Sequence, residues 1–115
     1  MIQEKLSVRD FPKAGRVVKQ SDVYSVFDSP MEKLVVSMTV LHPGKETGGH
    51  GHEGSEEVYF FVSGSGEMQL GQDRFHVREG DIVKIPGGKF HKVFNTAGRA
   101  DLTFICVFEK YGDRM

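Results

Sequence analysis

The run Glu57-Val58-Tyr59-Phe60-Phe61-Val62-Ser63-Gly64-Ser65-Gly66-Glu67-Met68-Gln69-Leu70-Gly71-Gln72-Asp73-Arg74-Phe75-His76-Val77-Arg78-Glu79-Gly80 decides the fold. Short β-branched and aromatic pieces alternate in it with Ser-Gly-Ser-Gly, Gly-Gln-Asp and Arg-Glu-Gly, sequences that suit tight hairpins. Working outward, the same texture fills the chain, whose 14 glycines concentrate between Gly44 and Gly98. Strands are expected at 16–19, 23–27, 34–41, 57–62, 67–70, 74–77, 81–85, 91–95 and 102–108. Helix has support only at 7–11, as a single turn before Pro12, and a turn is expected at Ser29-Pro30. The class is all-β, a small sandwich or barrel.

Length and composition bound the rest. A chain of 115 residues with 38% apolar and 27% charged side chains is read as one globular domain. Fifteen basic against sixteen acidic residues give a net charge of −1, and without a basic block there is no electrostatic footprint for nucleic acid. No apolar run approaches the roughly 18 residues of a membrane span, and none at the amino end resembles a secretory signal. The single cysteine, Cys106, cannot form an intrachain disulfide. The expected setting is a reducing cytoplasm, with neither membrane nor nucleic acid as partner.

The histidines carry the chemistry. His50 and His52 stand one residue apart, so on an extended segment both imidazoles leave the same face, about 7 Å apart. The turn-forming residues that follow can fold the next strand back and bring a carboxylate to the same interior. Glu53, Glu56 and Glu57 all compete for that position, since the strand after them is apolar on both faces. His91, after the turn Pro86-Gly87-Gly88, adds a third imidazole from a distant strand. Three histidines and one glutamate suit a divalent first-row transition metal, and four ligands leave positions open on a six-coordinate ion. His42 and His76 read as surface residues, and Cys106 as a small core residue.

This spacing resembles the cupin superfamily. Gly44, His50, His52, Glu57 and Gly64 match its first motif, and Gly80, Pro86, Gly88, His91 and Asn95 its second. Glu56 does not match, because Ser63 stands six residues beyond it. The resemblance spans residues 44–95 and implies a small antiparallel jelly-roll barrel. It also implies one divalent metal, iron, manganese, nickel, copper or zinc, held by His50, His52, Glu57 and His91. Asn95 is read as a supporting residue. Strand arithmetic, rather than the resemblance, divides the chain into a core barrel at residues 41–108 and extra strands at residues 1–40 expected to serve as a dimerisation arm.

Such a barrel hosts many reactions, so the pocket lining has to narrow the function. Counting by twos places Tyr59, Phe61, Val83, Ile85, Val93 and Asn95 inside, with Phe75, Phe90 and Phe104 as further candidates for wall or core, and the interior reads as apolar and aromatic. The inward groups able to handle a proton are Tyr59 and Gln69, both weak bases. The expected activity is metal-dependent oxidation, of dioxygenase type, or rearrangement of a small chelating molecule. The alternatives are a phosphosugar isomerase, for which Lys45, Lys84, Lys89 and Arg99 are the available cations and only Lys89 lies near the mouth, and a non-catalytic binding module. Outward Val58, Phe60 and Val62 would form an apolar patch in a lone barrel, which leads to the expectation of a homodimer.

Overall fold

The structure, a computed structural model, describes residues 4–51 and 55–110. His52 and Glu53 therefore lie outside the described residues. Nine strands are present among the described residues: β1 (Arg16–Gln20), β2 (Tyr24–Pro30), β3 (Leu34–Leu41), β4 (Glu57–Ser63), β5 (Ser65–Leu70), β6 (Asp73–Arg78), β7 (Ile82–Ile85), β8 (His91–Phe94) and β9 (Leu102–Glu109). They form two antiparallel sheets, six-stranded β1-β2-β3-β9-β4-β7 and three-stranded β6-β5-β8. This is the all-β jelly roll that the sequence implied. No helix among the described residues is long and apolar enough to cross a membrane.

Every expected strand is found, with ends moved by a few residues. Two local expectations are corrected. The helical turn is α1 (Phe11–Ala14), with Pro12 inside its first turn, where a missing N–H removes no helical bond. Nor does the chain turn at Ser29-Pro30. β2 runs through both residues, Pro30 opposite Val35, and the reversal comes after them, closed by the Met31 amide on the Leu34 carbonyl at 2.7 Å.

Register sets the inner wall of the large sheet. Asp28, Ser37, Cys106, Tyr59 and Val83 lie side by side across β2, β3, β9, β4 and β7. The next inner row is Val26, Thr39, Phe104 and Phe61, and Glu57 heads the row that passes through Phe108 to Val35. Phe61, Met68, Val93, Leu102 and Phe104 pack between the sheets as the main core. A second, outer cluster of Phe11, Phe27 and Met38, with Leu6 and Ile105 against it, covers part of the opposite face. The amino-terminal segment thus lies on its own barrel, with β1 as a bulged and wholly exposed edge strand, features that blunt edge-to-edge pairing.

Glycine is required at Gly64, where the chain crosses from β4 in the large sheet to β5 in the small one rather than closing the hairpin that Ser63-Gly64-Ser65-Gly66 suggested. Gly64 has φ +87°, and a Cβ there would lie 2.4 Å from the Asp101 carbonyl oxygen. Only a residue without a side chain fits both conditions.

Candidate metal centre

Glu57 opens β4 and is buried between β7 and β9, its register partners being Ile85 and Phe108. Glu56 is exposed, so burial agrees with spacing in choosing Glu57. His91 opens β8 in the other sheet. His50 sits beside it in an isolated bridge, with backbone bonds running both ways between the two residues at 3.2 and 3.0 Å. The segment leading to His50 is tied along β8 by the Thr47 amide on the Val93 carbonyl at 2.9 Å and by the Val93 amide on Thr47 Oγ1 at 3.0 Å. Both histidines are therefore held by the backbone of one sheet, and the glutamate by the other.

The donor atoms converge. One ligand atom from each of His50, Glu57 and His91 lies within 4.8 Å of the others. Glu57 Oε2 is 2.7 Å from His91 Nε2 and 3.9 Å from His50 Nε2, and the two imidazoles stand edge to face with centroids 4.4 Å apart. The glutamate contact is close, yet His91 Nε2 has no hydrogen-bond partner among the described residues, and both groups aim at a shared volume. The other ring nitrogen, Nδ1, is 3.0 Å from the Lys89 carbonyl. A carbonyl can only accept, so Nδ1 carries the proton and Nε2 presents its lone pair. A buried, unprotonated imidazole nitrogen beside a carboxylate is a donor set that fits a divalent transition metal. Burial is the largest influence on His91 and lowers its pKa. The Glu57 contact, the Lys89 carbonyl and the Glu57 charge together outweigh it, and the net shift is upward from the ordinary value.

The three residues stand at one end of a cavity of about 250 Å³, which His50 and Glu57 help to line. Tyr59, Phe104 and Phe108 form its aromatic side, Tyr59 stacked on Phe104 at 5.2 Å and edge-on to His91 at 5.5 Å. The rest of the lining corrects the expectation of an apolar interior, because it includes the hydroxyl-bearing Tyr24, Ser37, Thr39 and Thr47, with Ser37 and Thr39 on the same inner face of the large sheet as Tyr59 and Phe104. Reading β3 in steps of two, Val35-Ser37-Thr39-Leu41, would have revealed half of that wall. Cys106 also lines the cavity, in register with Ser37 and Tyr59.

Other expectations sort cleanly. Gln69 is not an inward residue. Gly66 and Met68 take the inner positions of β5, and Gln69 lies on the outer face opposite Arg74 and Lys92, its amide donating to the Gly71 carbonyl at 3.1 Å. Phe90 is exposed rather than part of the core. His76 is exposed, and His42 is a half-exposed partner of Asp101 at 3.1 Å. Among the described residues no lysine or arginine lines the cavity. Lys84 is exposed, and Lys89 belongs to a separate surface hollow with Gly51, Pro86, Gly87 and Gly88. Asn95 is the supporting residue that was expected. Buried at the end of β8, it donates to the Leu41 carbonyl at 2.9 Å and the Ala100 carbonyl at 2.8 Å, and its Oδ1 accepts from the Ala97 amide at 3.0 Å.

Comparison with known proteins agrees with this architecture. Residues 37–108 match the family profile described as Cupin domain. The chain is 34% identical over 67 residues to an oxalate-binding protein of Thermotoga maritima, covering 58% of this chain and 54% of that protein. It is 29% identical over 72 residues to a 5-nitrosalicylic acid 1,2-dioxygenase of Bradyrhizobium sp., covering 63% of this chain and 34% of that enzyme. Among solved structures, a protein with a double-stranded beta-helix domain from Klebsiella pneumoniae superposes with a TM-score of 0.78 at 23% identity, over 94% of this chain and 90% of the other. That likeness is one of fold.

Proposed function

The chain belongs to the cupin domain family, and from that premise we propose that it holds one divalent first-row metal and uses it to oxidise or rearrange a small chelating organic molecule. The observation that carries the reading is the convergence of His50, Glu57 and His91 beside a cavity that the first two help to line. His52, placed by its motif, completes the ligand set. A bound ion would supply Lewis-acid polarisation of a chelated oxygen. The chain's own residues hold the rest: the Lys89 carbonyl fixes the His91 ring, Phe104 and Phe108 exclude water, and the Tyr59 hydroxyl is the proton-handling group. The relatives named for oxalate binding and for dioxygenase activity favour small oxygen-rich ligands, although the chain spans only about half and a third of their lengths. Without a cation in the described lining, the phosphosugar isomerase is the weaker alternative.

The test is elemental analysis of the purified protein, followed by turnover assays on diketones, thiols, phenols and sugar phosphates with and without dioxygen. Turnover of one of the first three that requires the metal supports the reading. Turnover of sugar phosphates alone favours the isomerase, and bound metal with no turnover favours a binding module.

The assembly in this reading is a homodimer. An outer row runs Phe27, Met38, Ile105, Phe60 and Ile82 across the large sheet. Its first members are covered by Phe11 and Leu6, while Phe60 remains 43% and Ile82 64% exposed beside Val58. Light scattering at low micromolar concentration is expected to give twice the 12.9 kDa of one chain. Phe60→Lys is expected to halve that mass without changing metal content, and a wild-type mass of one chain would refute the dimer.

A further inference from the structure

We infer that Thr39 and Tyr24 form the distal half of the ligand site, so that the substrate carries a hydroxyl or carbonyl oxygen several atoms away from its chelating end. This deepens the reading above, on which only the metal-facing half depends.

Thr39 sits on the inner face of β3, flanked in register by Val26 and Phe104. Valine has the same shape and would satisfy that packing. Instead the position, 7% exposed, holds a hydroxyl-bearing residue that lines the cavity and has no side-chain hydrogen bond among the described residues. A hydroxyl in place of a methyl adds nothing to this packing, and its bonding capacity is open to whatever fills the cavity. Tyr24 is its diagonal neighbour on β2, two residues from the Val26 that pairs with Thr39, within the roughly 7–8 Å typical of such pairs. Its ring packs against the core beneath the Lys19 ammonium, 5.3 Å from the centroid. Tyr24 lines the same cavity, and its hydroxyl likewise has no hydrogen bond among the described residues.

Two such residues on adjacent strands make a polar shelf on the same sheet wall that carries Glu57. Thr39 is separated from Glu57 by two strand spacings, about 10 Å, and by four residues of offset, about 13 Å, measured between backbones. Side chains from both ends shorten that gap. A molecule with a chelating head and a distal oxygen at the end of a chain of about three carbons spans it and fits a volume below the roughly 300–1,000 Å³ of drug-sized sites. A bare two-carbon chelator reaches only the metal end.

Two probes separate the halves of the site: 2-oxopentanoate and 5-hydroxy-2-oxopentanoate share one chelating head and differ by the terminal hydroxyl. They are titrated calorimetrically into the manganese-loaded full chain, as wild type, Thr39→Val and Tyr24→Phe, with metal content and melting temperature measured on each. Wild type is expected to bind the hydroxylated acid about tenfold more tightly, the worth of one good hydrogen bond left otherwise unmade. Thr39→Val is expected to abolish the preference with metal content unchanged and a melting temperature equal to or above that of wild type. Tyr24→Phe is expected to reduce it. Equal affinities in wild type, binding of neither acid, or a preference that survives both substitutions would overturn the inference, leaving the shelf a place for ordered water. A wild type that retains no metal overturns the metal reading alone. The same titration on the metal-free chain then decides the shelf, a tenfold preference supporting it and equality or no binding overturning it.

Discussion

Replacing His91 by Ala is expected to take the purified protein from about one metal ion per chain to near none, and to abolish the rise in melting temperature that metal produces. The two effects share a cause. His50 and His91 belong to one sheet and Glu57 to the other, so an ion bound among them ties the two layers together and binds only the folded chain. At free metal a hundredfold above its dissociation constant, that linkage is worth about 2.7 kcal/mol, or about 10 °C in a domain of this size. Elemental analysis and calorimetry with and without a chelator check both. Undiminished metal in His91→Ala and in His50→Ala would refute the ligand assignment. Acid should act in the same direction. Because the folded His91 pKa is raised, the metal-free fold gains stability from protonated His91 that is fully present below the ordinary histidine pKa of about 6.5 and is lost as pH rises through the folded value. Metal needs the neutral ring, so affinity is expected to fall about tenfold per pH unit for each competing imidazole once pH drops below that raised pKa. The metal-dependent increment in melting temperature therefore shrinks on acidification, from the side of the bound state as well as that of the free one.

Asn95→Ala is expected to destabilise the fold by about 3 kcal/mol, because it strips the donors from two carbonyls, one of them deep in the barrel, and leaves them unsatisfied. The Leu41 and Ala100 carbonyls both depend on its Nδ2, and the Ala97 amide on its Oδ1. One side chain thereby joins the end of β3, the end of β8 and the loop leading to β9. Asn95→Asp is nearly the same shape but turns a carboxylate toward two carbonyl oxygens, and it should cost at least as much. Thermal denaturation should show a loss of about 10–15 °C for Asn95→Ala, while the folded fraction still binds metal. A melting temperature within a degree or two of wild type would show that this network does not hold the barrel end. Equal loss of metal from fully folded protein would instead make Asn95 part of the centre.

How much of this was legible beforehand follows from which properties are local. The strands could be read because alternation with period two, interrupted by glycine-bearing turns, is written into consecutive residues, and all nine appear. Gly64 was identifiable as a turn for the same reason, its positive φ being a demand that neighbouring residues create. The spacing of His50, Glu57 and His91 within two motifs was enough to nominate ligands that the fold then brings within 4.8 Å of one another. Parity was not local. Gln69 was expected inside, but Gly66 packs against the Phe94 carbonyl, with room of only 2.3 Å for a Cβ, and that contact with a distant strand turns Met68 inward and Gln69 out. The hydroxyl wall stayed hidden for a related reason. Ser37 and Thr39 join the cavity only because β3 lies beside β9 and β9 beside β4, an order set by contacts far apart in the chain. So the sequence by itself determined the elements, since each follows from residues within one strand, while the ligands were nominated by their match to two family motifs rather than by a local pattern. Tertiary structure alone decided which side chains share a face across strands, and hence that the hydroxyl-bearing Ser37 and Thr39 stand beside the aromatic residues and Glu57 on one cavity wall, because strand neighbours and packing depth are properties of non-local pairing.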